Sequence, residues 1–391
     1  MSELKPGWKM VKFGDVVRQC KESVDRNNNP FERYVEGGHM DSDNIHIRRW
    51  GEFGEDYVGP AFHRIFRKGQ VLYGSRRTYL KKVALADFDG ITANTTFVCE
   101  TKDPNVFLQE LLPFLMLTDS FTEHSIRESK GSTNPYINWP DIAKYQFPLP
   151  PLDEQKRIAK ILWAADEVKE HWLKTLENYD IAINKKFELL IESSHEAREL
   201  LLKDCCEFIT DGDHNPPKRQ ESGIPHLVVR HIMEDGSIDL SNCTYISHSD
   251  FEKVQRRYNP KSGDLILTCV GTIGRTAIVP NGFIFSADRS LALLRFRDKV
   301  IRVKFAQLLI KSKSIQRKFE SRSIGTAQQH LYLKDIRNLC VHIPPLYVQD
   351  QILEIMENTS KSRTTIVQNA TSVAIISKAL ASRIGEGASD V

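Results

Sequence analysis

The chain has 391 residues, 40% of them hydrophobic and 27% charged, a composition ordinary for globular protein and long enough for two or three domains. Its formal net charge of +3 is too small to define a nucleic-acid partner by itself, and its seven cysteines contain no C-x-x-C pair, which excludes a zinc site of that kind and fits a reduced compartment. No apolar run approaches membrane-spanning length and the first residues, Met1 to Pro6, hold no apolar signal core, so the expected location is the cytoplasm and no membrane partner is expected.

Residues 8–20 read as a short amphipathic opening. From Tyr34 to Trp50 short strands alternate with polar turns. There Arg48-Arg49-Trp50 places two cations beside an indole, which suits either a solvated turn or a phosphate contact. Gly69 then turns the chain into a strand over 70–73, and Gly74 to Lys82 forms a basic loop. It carries Ser75, Arg76, Arg77, Tyr79, Lys81 and Lys82. Four cations and an aromatic on one loop suit a backbone that approaches phosphates while side chains reach base edges; a solvated charged hairpin is the plainer reading. A strand at 82–86, a turn at Asp89-Gly90 and a strand at 91–100 follow.

Residues 104–127 predict one helix, with Phe107, Leu108, Leu111, Leu112, Leu115 and Met116 as its core face. A polar loop, Gly131 to Tyr136, comes next. Thr133 and Asn134 are its candidates, because Asn pairs bidentately with the adenine edge, although such residues are also plain turn formers. At Pro148-Leu149-Pro150-Pro151-Leu152-Asp153-Glu154-Gln155 the prolines exclude helix before Leu152. Asp153 and Glu154 then stand where carboxylates suit the helix dipole. The helical pattern runs to about Arg198, with Ile158, Leu162, Ala165, Trp172, Leu176, Tyr179, Ile183 and Leu190 as a coiled-coil seam. About 40 residues at ~1.5 Å each make a rod of roughly 60 Å, which reads as a spacer.

The second half repeats the first. Ile343-Pro344-Pro345-Leu346 matches Leu149-Pro150-Pro151-Leu152, and Gln349 matches Gln155, a shift of 194 residues from Pro150 to Pro344. The same shift relates Gly69 to Gly263, Ala93 to Ala287, Gly131-Ser132 to Gly325-Thr326 and Asp141-Ile142 to Asp335-Ile336. One shift across so many positions makes the chain two copies of one unit, each a globular domain followed by a helix. In the second copy, residues 203–209 take the part of the opening, and Val303–Phe319 that of the helix at 104–127. The basic loop is replaced by Cys269 to Arg275, where Gly271-Thr272-Ile273-Gly274 can offer backbone N–H groups to a phosphate and Arg275 is the one cation. It is not a P-loop. Gln328, Gln329 and His330 fill the second polar loop.

Asn215-Pro216-Pro217-Lys218 resembles the Asn-Pro-Pro-aromatic motif of amino-methyltransferases, but Lys218 replaces the aromatic and no glycine-rich cofactor turn precedes it. Asp211-Gly212-Asp213-His214 reads as a turn. The last helix, from Leu346, has Ile352, Ile355, Ile366, Val373, Ile376 and Leu380 on its seam and needs a partner, for which the helix from Leu152 is the natural choice. The expected fold is therefore α+β. Two tandem α/β domains, 1–150 and 199–343, are separated by helices at 151–198 and 344–391 that form an antiparallel coiled coil with pseudo-two-fold symmetry.

Together, the Pro-Pro-Leu pair with its following Gln, the Gly131 and Gly325 loops, Gly263-Asp264-Leu265-Ile266-Leu267 with Gly271 and Gly274, and Tyr73-Gly74-Ser75-Arg76-Arg77 followed by Lys82-Val83-Ala84 resemble the DNA-specificity subunits of type I restriction–modification systems. The resemblance covers essentially the whole chain. It implies two target-recognition domains that each read half of a bipartite, asymmetric double-stranded DNA site. It implies helices that space the domains and dock modification (methyltransferase) subunits, two of them, with a restriction/translocase subunit joining the complex. No catalytic residue and no metal or cofactor is expected on this chain; S-adenosylmethionine, ATP and Mg are expected on the partner subunits. The residues expected to meet DNA are Arg48, Arg49, Ser75, Arg76, Arg77, Tyr79, Lys81, Lys82, Thr133 and Asn134 in the first domain. In the second they are His214, Lys218, Arg219, Arg230, Thr272, Arg275, Gln328, Gln329 and His330. Docking is expected at Pro150, Pro151, Leu152, Glu154 and Gln155, and at Pro344, Pro345, Leu346 and Gln349, with Tyr347-Val348 standing where the first copy has Asp153-Glu154. The other classes open to the sequence are a coiled-coil adaptor without DNA binding, which would leave the basic loop unexplained, and a self-contained methyltransferase, which would need a cofactor loop.

Overall fold

The computed structural model describes residues 4–25, 28–54, 58–215, 217–256, 258–322 and 329–386, with backbone alone for 383–386. The chain divides into two compact units, one of residues 1–174 and 367–391, the other of residues 175–366. The division runs through the two long helices, so each unit holds a globular part and a length of each helix.

In the first unit the described residues form a five-stranded sheet in the order Val17–Cys20, Thr96–Thr101, Val71–Gly74, Lys82–Leu85, Asn44–His46. Its pairs are antiparallel except the last, which is parallel. Val71, Leu72, Tyr73, Val83 and Ala84 are all buried, which is why their strands read as unbroken apolar runs rather than alternating ones. A second sheet, Gly51–Glu52, Arg33–Val35, Gly90–Ala93, Phe62–Phe66, lies in the same unit. The second unit repeats the first four strands of that order as Cys206–Asp211, Leu291–Phe296, Leu265–Thr268, Thr276–Ile278.

The single helix expected over 104–127 is broken. A 3-10 turn, Gln109–Leu111, leads into helices Leu112–Leu117 and Asp119–Arg127. The break is at Thr118, whose backbone is extended and whose hydroxyl accepts the Phe121 N–H at 3.3 Å, the geometry of an N-cap. The second unit breaks its helix in the same way 194 residues on, at Ser312, which accepts the Ile315 N–H at 3.4 Å between helices Val303–Lys311 and Lys313–Arg322. The expected core face is otherwise in place, with Phe107, Leu111, Leu112, Leu115 and Met116 buried and Leu108 packed beside them.

Both long helices are 41 residues, Leu152–Glu192 and Leu346–Glu386. The first stops six residues short of the expected Arg198, because Arg198–Leu201 pairs as a strand with Cys340–Ile343, as Lys9–Lys12 pairs with Gln146–Leu149 in the first unit. At each helix start a glutamine is buried. The Gln155 amide donates to the carbonyls of Val106 at 2.8 Å and Pro150 at 2.9 Å and accepts the Leu108 N–H at 3.0 Å. Gln349 does the same 194 residues on, with Val300 at 3.0 Å, Pro344 at 2.8 Å and Arg302 N–H at 2.8 Å. Gln155 and Gln349, with Pro150 and Pro344, are therefore buried in their own unit and do not face a partner, contrary to the docking expectation. Pro151, Leu152, Pro345 and Leu346 keep some exposure, and Glu154 accepts the Trp8 indole N–H at 3.0 Å.

In the second unit the helices run antiparallel: Asp180 pairs with Arg363, the Tyr179 hydroxyl donates to the Thr359 carbonyl, and Phe187 and Ile191 share a core with Ile352 and Met356. In the first unit, Ala159 and Leu162 share a core with Leu380 and Ala381. The buried stripe of the last helix follows 352, 356, 370 and 381, and Ile376, expected on the seam, is exposed because it lies off that stripe. Among the described residues no helix is long and apolar enough to cross a membrane.

Gln349→Leu keeps the bulk but leaves three backbone groups without partners, each worth about 1–3 kcal/mol when buried. Urea unfolding should shift to clearly lower denaturant for Gln349→Leu and stay unchanged for Gln351→Leu, whose side chain is exposed.

Candidate nucleic-acid interface

In each unit the loop that leaves the central strand is held against the second polar loop by backbone bonds. In the first, Arg76 bridges Tyr136, the Arg77 N–H donates to the Pro135 carbonyl at 2.6 Å, and the Ile137 N–H to the Ser75 carbonyl at 2.9 Å. In the second, Val270 bridges His330, the Gly271 N–H donates to Gln329 at 2.9 Å, and the Leu331 N–H to Cys269 at 2.8 Å. Every one of these partners is related by the 194-residue shift. The frame is common; the side chains it presents are not.

The first loop makes a 3-10 turn at Thr78–Leu80 flanked by Arg77 and Lys81, both left-handed at φ 49° and 47°. Arg76 and Arg77 are exposed, Arg76 lying over the Tyr136 ring at 5.8 Å, and Tyr79, Thr133 and Asn134 are exposed with them. Ser75 does not join them: it is buried, and its hydroxyl donates to the Thr95 carbonyl at 2.7 Å. Nor do the two lysines hold to the expectation. Lys81 is largely covered and pairs with Asp119, which also meets Lys378 at 3.2 Å, and the Lys82 ammonium donates to the Gly37 carbonyl. Lys81, and then Lys378, hold the Asp119 carboxyl below the usual carboxylate range. Both lysines tie the loop to other parts of its own unit.

Arg48 and Arg49 are also engaged. Arg48 binds Glu170 at 2.6 Å, and Arg49 pairs with Asp41. Next to them His46, Asp166 and Glu170 form the one trio among the described residues whose ligand atoms lie within 4.8 Å of one another. The Lys169 ammonium is 2.7 Å from Asp166, so this is a network of ion pairs rather than an open set of metal donors. Burial would raise the Asp166 carboxyl, but His46 and Lys169 hold it below its ordinary value.

In the second unit, Thr272, Gln329, Lys218, His214 and Arg230 are exposed, His214 against Asp211 at 3.0 Å. Arg275 is half-buried with its guanidinium 3.4 Å from the Ile232 carbonyl, and the His330 ring lies on Tyr332 at 4.4 Å. The glycine loop offers less to a phosphate than expected, since the Gly271 and Gly274 N–H groups already donate to Gln329 and Thr268. Gly274, at φ +89°, is in the left-handed region that favours glycine, and a Cβ there would have to displace the Gln316 amide. Gln328 and the Gly325-Thr326 pair lie outside the described residues.

Arg219 has one guanidinium nitrogen buried without a hydrogen-bond partner, and beside it His226 has Nε2 in the same condition. Nδ1 of His226 lies 3.2 Å from the Ser286 hydroxyl. Burial, then Arg219 and His231 beside it, push the His226 imidazole down to about 3.

Sequence reading overlooked an open cleft of about 710 Å³ in the first unit, walled by Gln19, Lys21, Arg76, Asn94, Asn138 and Trp139 among others. Its residues come from four distant segments and carry no shared spacing; the only signal was the polar turn Asn94-Thr95-Thr96 between two apolar strands.

Two units with one backbone frame, dissimilar polar loops and a length of two long helices in each define a tandem recognition protein. The chain belongs to the family described as type I restriction modification DNA specificity domain, whose model matches residues 5–178 and again residues 209–374. It is similar to the type I restriction enzyme EcoDI specificity subunit of Escherichia coli, 28% identical over 170 residues, which are 42% of this chain and 36% of that one. It is also similar to the MjaIX specificity subunit of Methanocaldococcus jannaschii, 25% identical over 322 residues, 74% of this chain and 71% of that one. The chain thus spans just over a third of the length of the Escherichia coli relative. A solved chain from work on complex assembly and conformational transition of the type I R-M system shares the fold, with a TM-score of 0.58 at 20% identity over 98% of this chain and 99% of that chain.

The depressed His226 value carries a stability prediction. The folded imidazole stays neutral while the unfolded one takes up a proton below about 6.5, so stability falls as pH drops below that value and levels off near 3. Unfolding of the second unit followed from pH 7 to pH 4.5 should show this slope, and His226→Asn should flatten it.

Proposed function

We propose that this chain is the sequence-specific DNA-binding specificity subunit of a type I restriction–modification complex, reading a bipartite and asymmetric site. The observation that carries the reading is the pairing of one backbone frame with two loop chemistries: Arg76, Arg77, Tyr79 and Asn134 in the first unit, Thr272, Gln329 and His330 in the second. A repeated frame grips the same kind of target twice. Dissimilar loops read different details of it. The frame does no chemistry: this chain is not an enzyme on this reading, and it binds no cofactor of its own. S-adenosylmethionine would belong to two modification subunits and ATP and Mg to restriction/translocase subunits, all in the cytoplasm.

The test is to co-express the full chain with its host's modification subunits and map methylated positions. Changing Thr272 and Gln329 together should alter the half-site read by the second unit and leave the other untouched. A change in both halves together would defeat the two-reader model, and absence of any DNA sequence preference in the unaltered complex would favour the adaptor class instead.

The helices are then the spacer. Removing 171–177 and 366–372 preserves heptad phase and leaves the Asp180–Arg363 and Arg48–Glu170 pairs in the chain. Each helix shortens by about 10 Å, roughly three base pairs at ~3.4 Å per pair. Methylation of a panel of sites that differ only in gap length should show loss of the original gap and preference for a shorter one.

A further inference from the structure

The cleft of the first unit has the chemistry of a base reader, an inference that rests on the proposed function and makes it specific. Its walls are the end of strand Val17–Cys20 with Lys21, Ser75 and Arg76 after strand Val71–Gly74, the turn at Asn94 between strands Gly90–Ala93 and Thr96–Thr101, and the segment from Lys130 to Asp141. Its aromatic side is rigid: Trp139 meets Phe97 edge-on at 5.9 Å and Phe13 at 6.0 Å.

Three carboxamides line it, those of Gln19, Asn94 and Asn138. Among the described residues none of the three has a side-chain hydrogen bond. Other glutamine amides of the same unit are engaged, Gln70 with Glu100, Gln109 with Gly69 and Gln155 with Val106 and Pro150. The cations divide in the same way. Lys81 and Lys82 are held by their own unit, whereas Lys21 and Arg76 at the cleft have no carboxylate partner among the described residues. The acid of the cleft, Asp141, is neutralised by Lys144 at 3.0 Å and Lys130 at 3.1 Å.

A carboxamide sets an acceptor beside two donors, the complement of the N6 amino group and N7 of adenine in the major groove. One purine edge takes one such group. Three of them, on separate segments, need more than one base, which favours a duplex over a free nucleotide. Two unpaired cations supply the attraction for its phosphates. We propose that this cleft is where the first unit reads DNA, and that Gln19, Asn94 and Asn138 are specificity-determining residues that select adenine in its half-site.

The experiment uses the complex of the full chain with its host's modification subunits. Gln19→Ala, Asn94→Ala and Asn138→Ala are each assayed by methylation of a randomised target library, with thermal unfolding to confirm that each remains folded. Preference for adenine at one position of one half-site should fall about 10- to 100-fold in at least one variant, with the other half-site unchanged. Replacing that adenine by 7-deazaadenine, which lacks N7, should weaken binding by the unaltered complex and not by the variant. Unchanged preferences in all three folded variants, or a loss equal at all sequences, would overturn the assignment. If the unaltered complex itself shows no sequence preference, the specificity-subunit reading fails, which is a distinct outcome.

Discussion

The fold turns on a buried glutamine. The segments before each long helix carry backbone groups that no regular element pairs, at Val106, Leu108 and Pro150 in one unit and at Val300, Arg302 and Pro344 in the other. Gln155, 1% exposed, and Gln349, 0% exposed, satisfy them from the first turn of the helix. Each reaches out of its helix to two carbonyls and one N–H, tying together the end of a strand, the loop before the small helices and the helix itself. A buried amide with one donor unmet would be costly, so each helix start is pinned to its own unit. A helix proposed as a spacer needs a start that is held in this way.

The same economy governs the loops. Arg77 and Lys81 occupy left-handed conformations that side chains with a Cβ rarely adopt, and they are kept there by an N–H bond to Pro135, by the Asp119 ion pair and by the covered Lys82 ammonium. The basic loop is therefore a braced structure. Its inner cations hold the shape, and its outer ones, Arg76 and Arg77, are left to face solvent.

Much of this was legible. The repeat at Pro150 and Pro344, the helix starts and the strand after Gly69 are local patterns, and periodicity or proline chemistry is enough to find them. What was hidden depends on residues far apart in sequence. Lys81 looks like a phosphate ligand until Asp119, 38 positions away, is seen to hold it. Gln19, Asn94 and Asn138 share no spacing, and nothing in the sequence says that their amides are left without partners. The break at Thr118 was missed because an apolar stripe continues across it, while the hydroxyl that ends one helix and starts the next is a single atom. Ile376 was placed on the seam by a strict heptad, whereas the helix drifts away from that repeat.

The bonds that join the two loops of each unit run from backbone to backbone, at Arg77 with Pro135 and at Gly271 with Gln329. Point mutation replaces side chains and has almost no grip on such bonds. Asn134, Thr272 or Gln329 can therefore drift freely while the scaffold beneath them stays in register, so descendants of this gene can acquire new sequence preferences without first having to acquire a new fold.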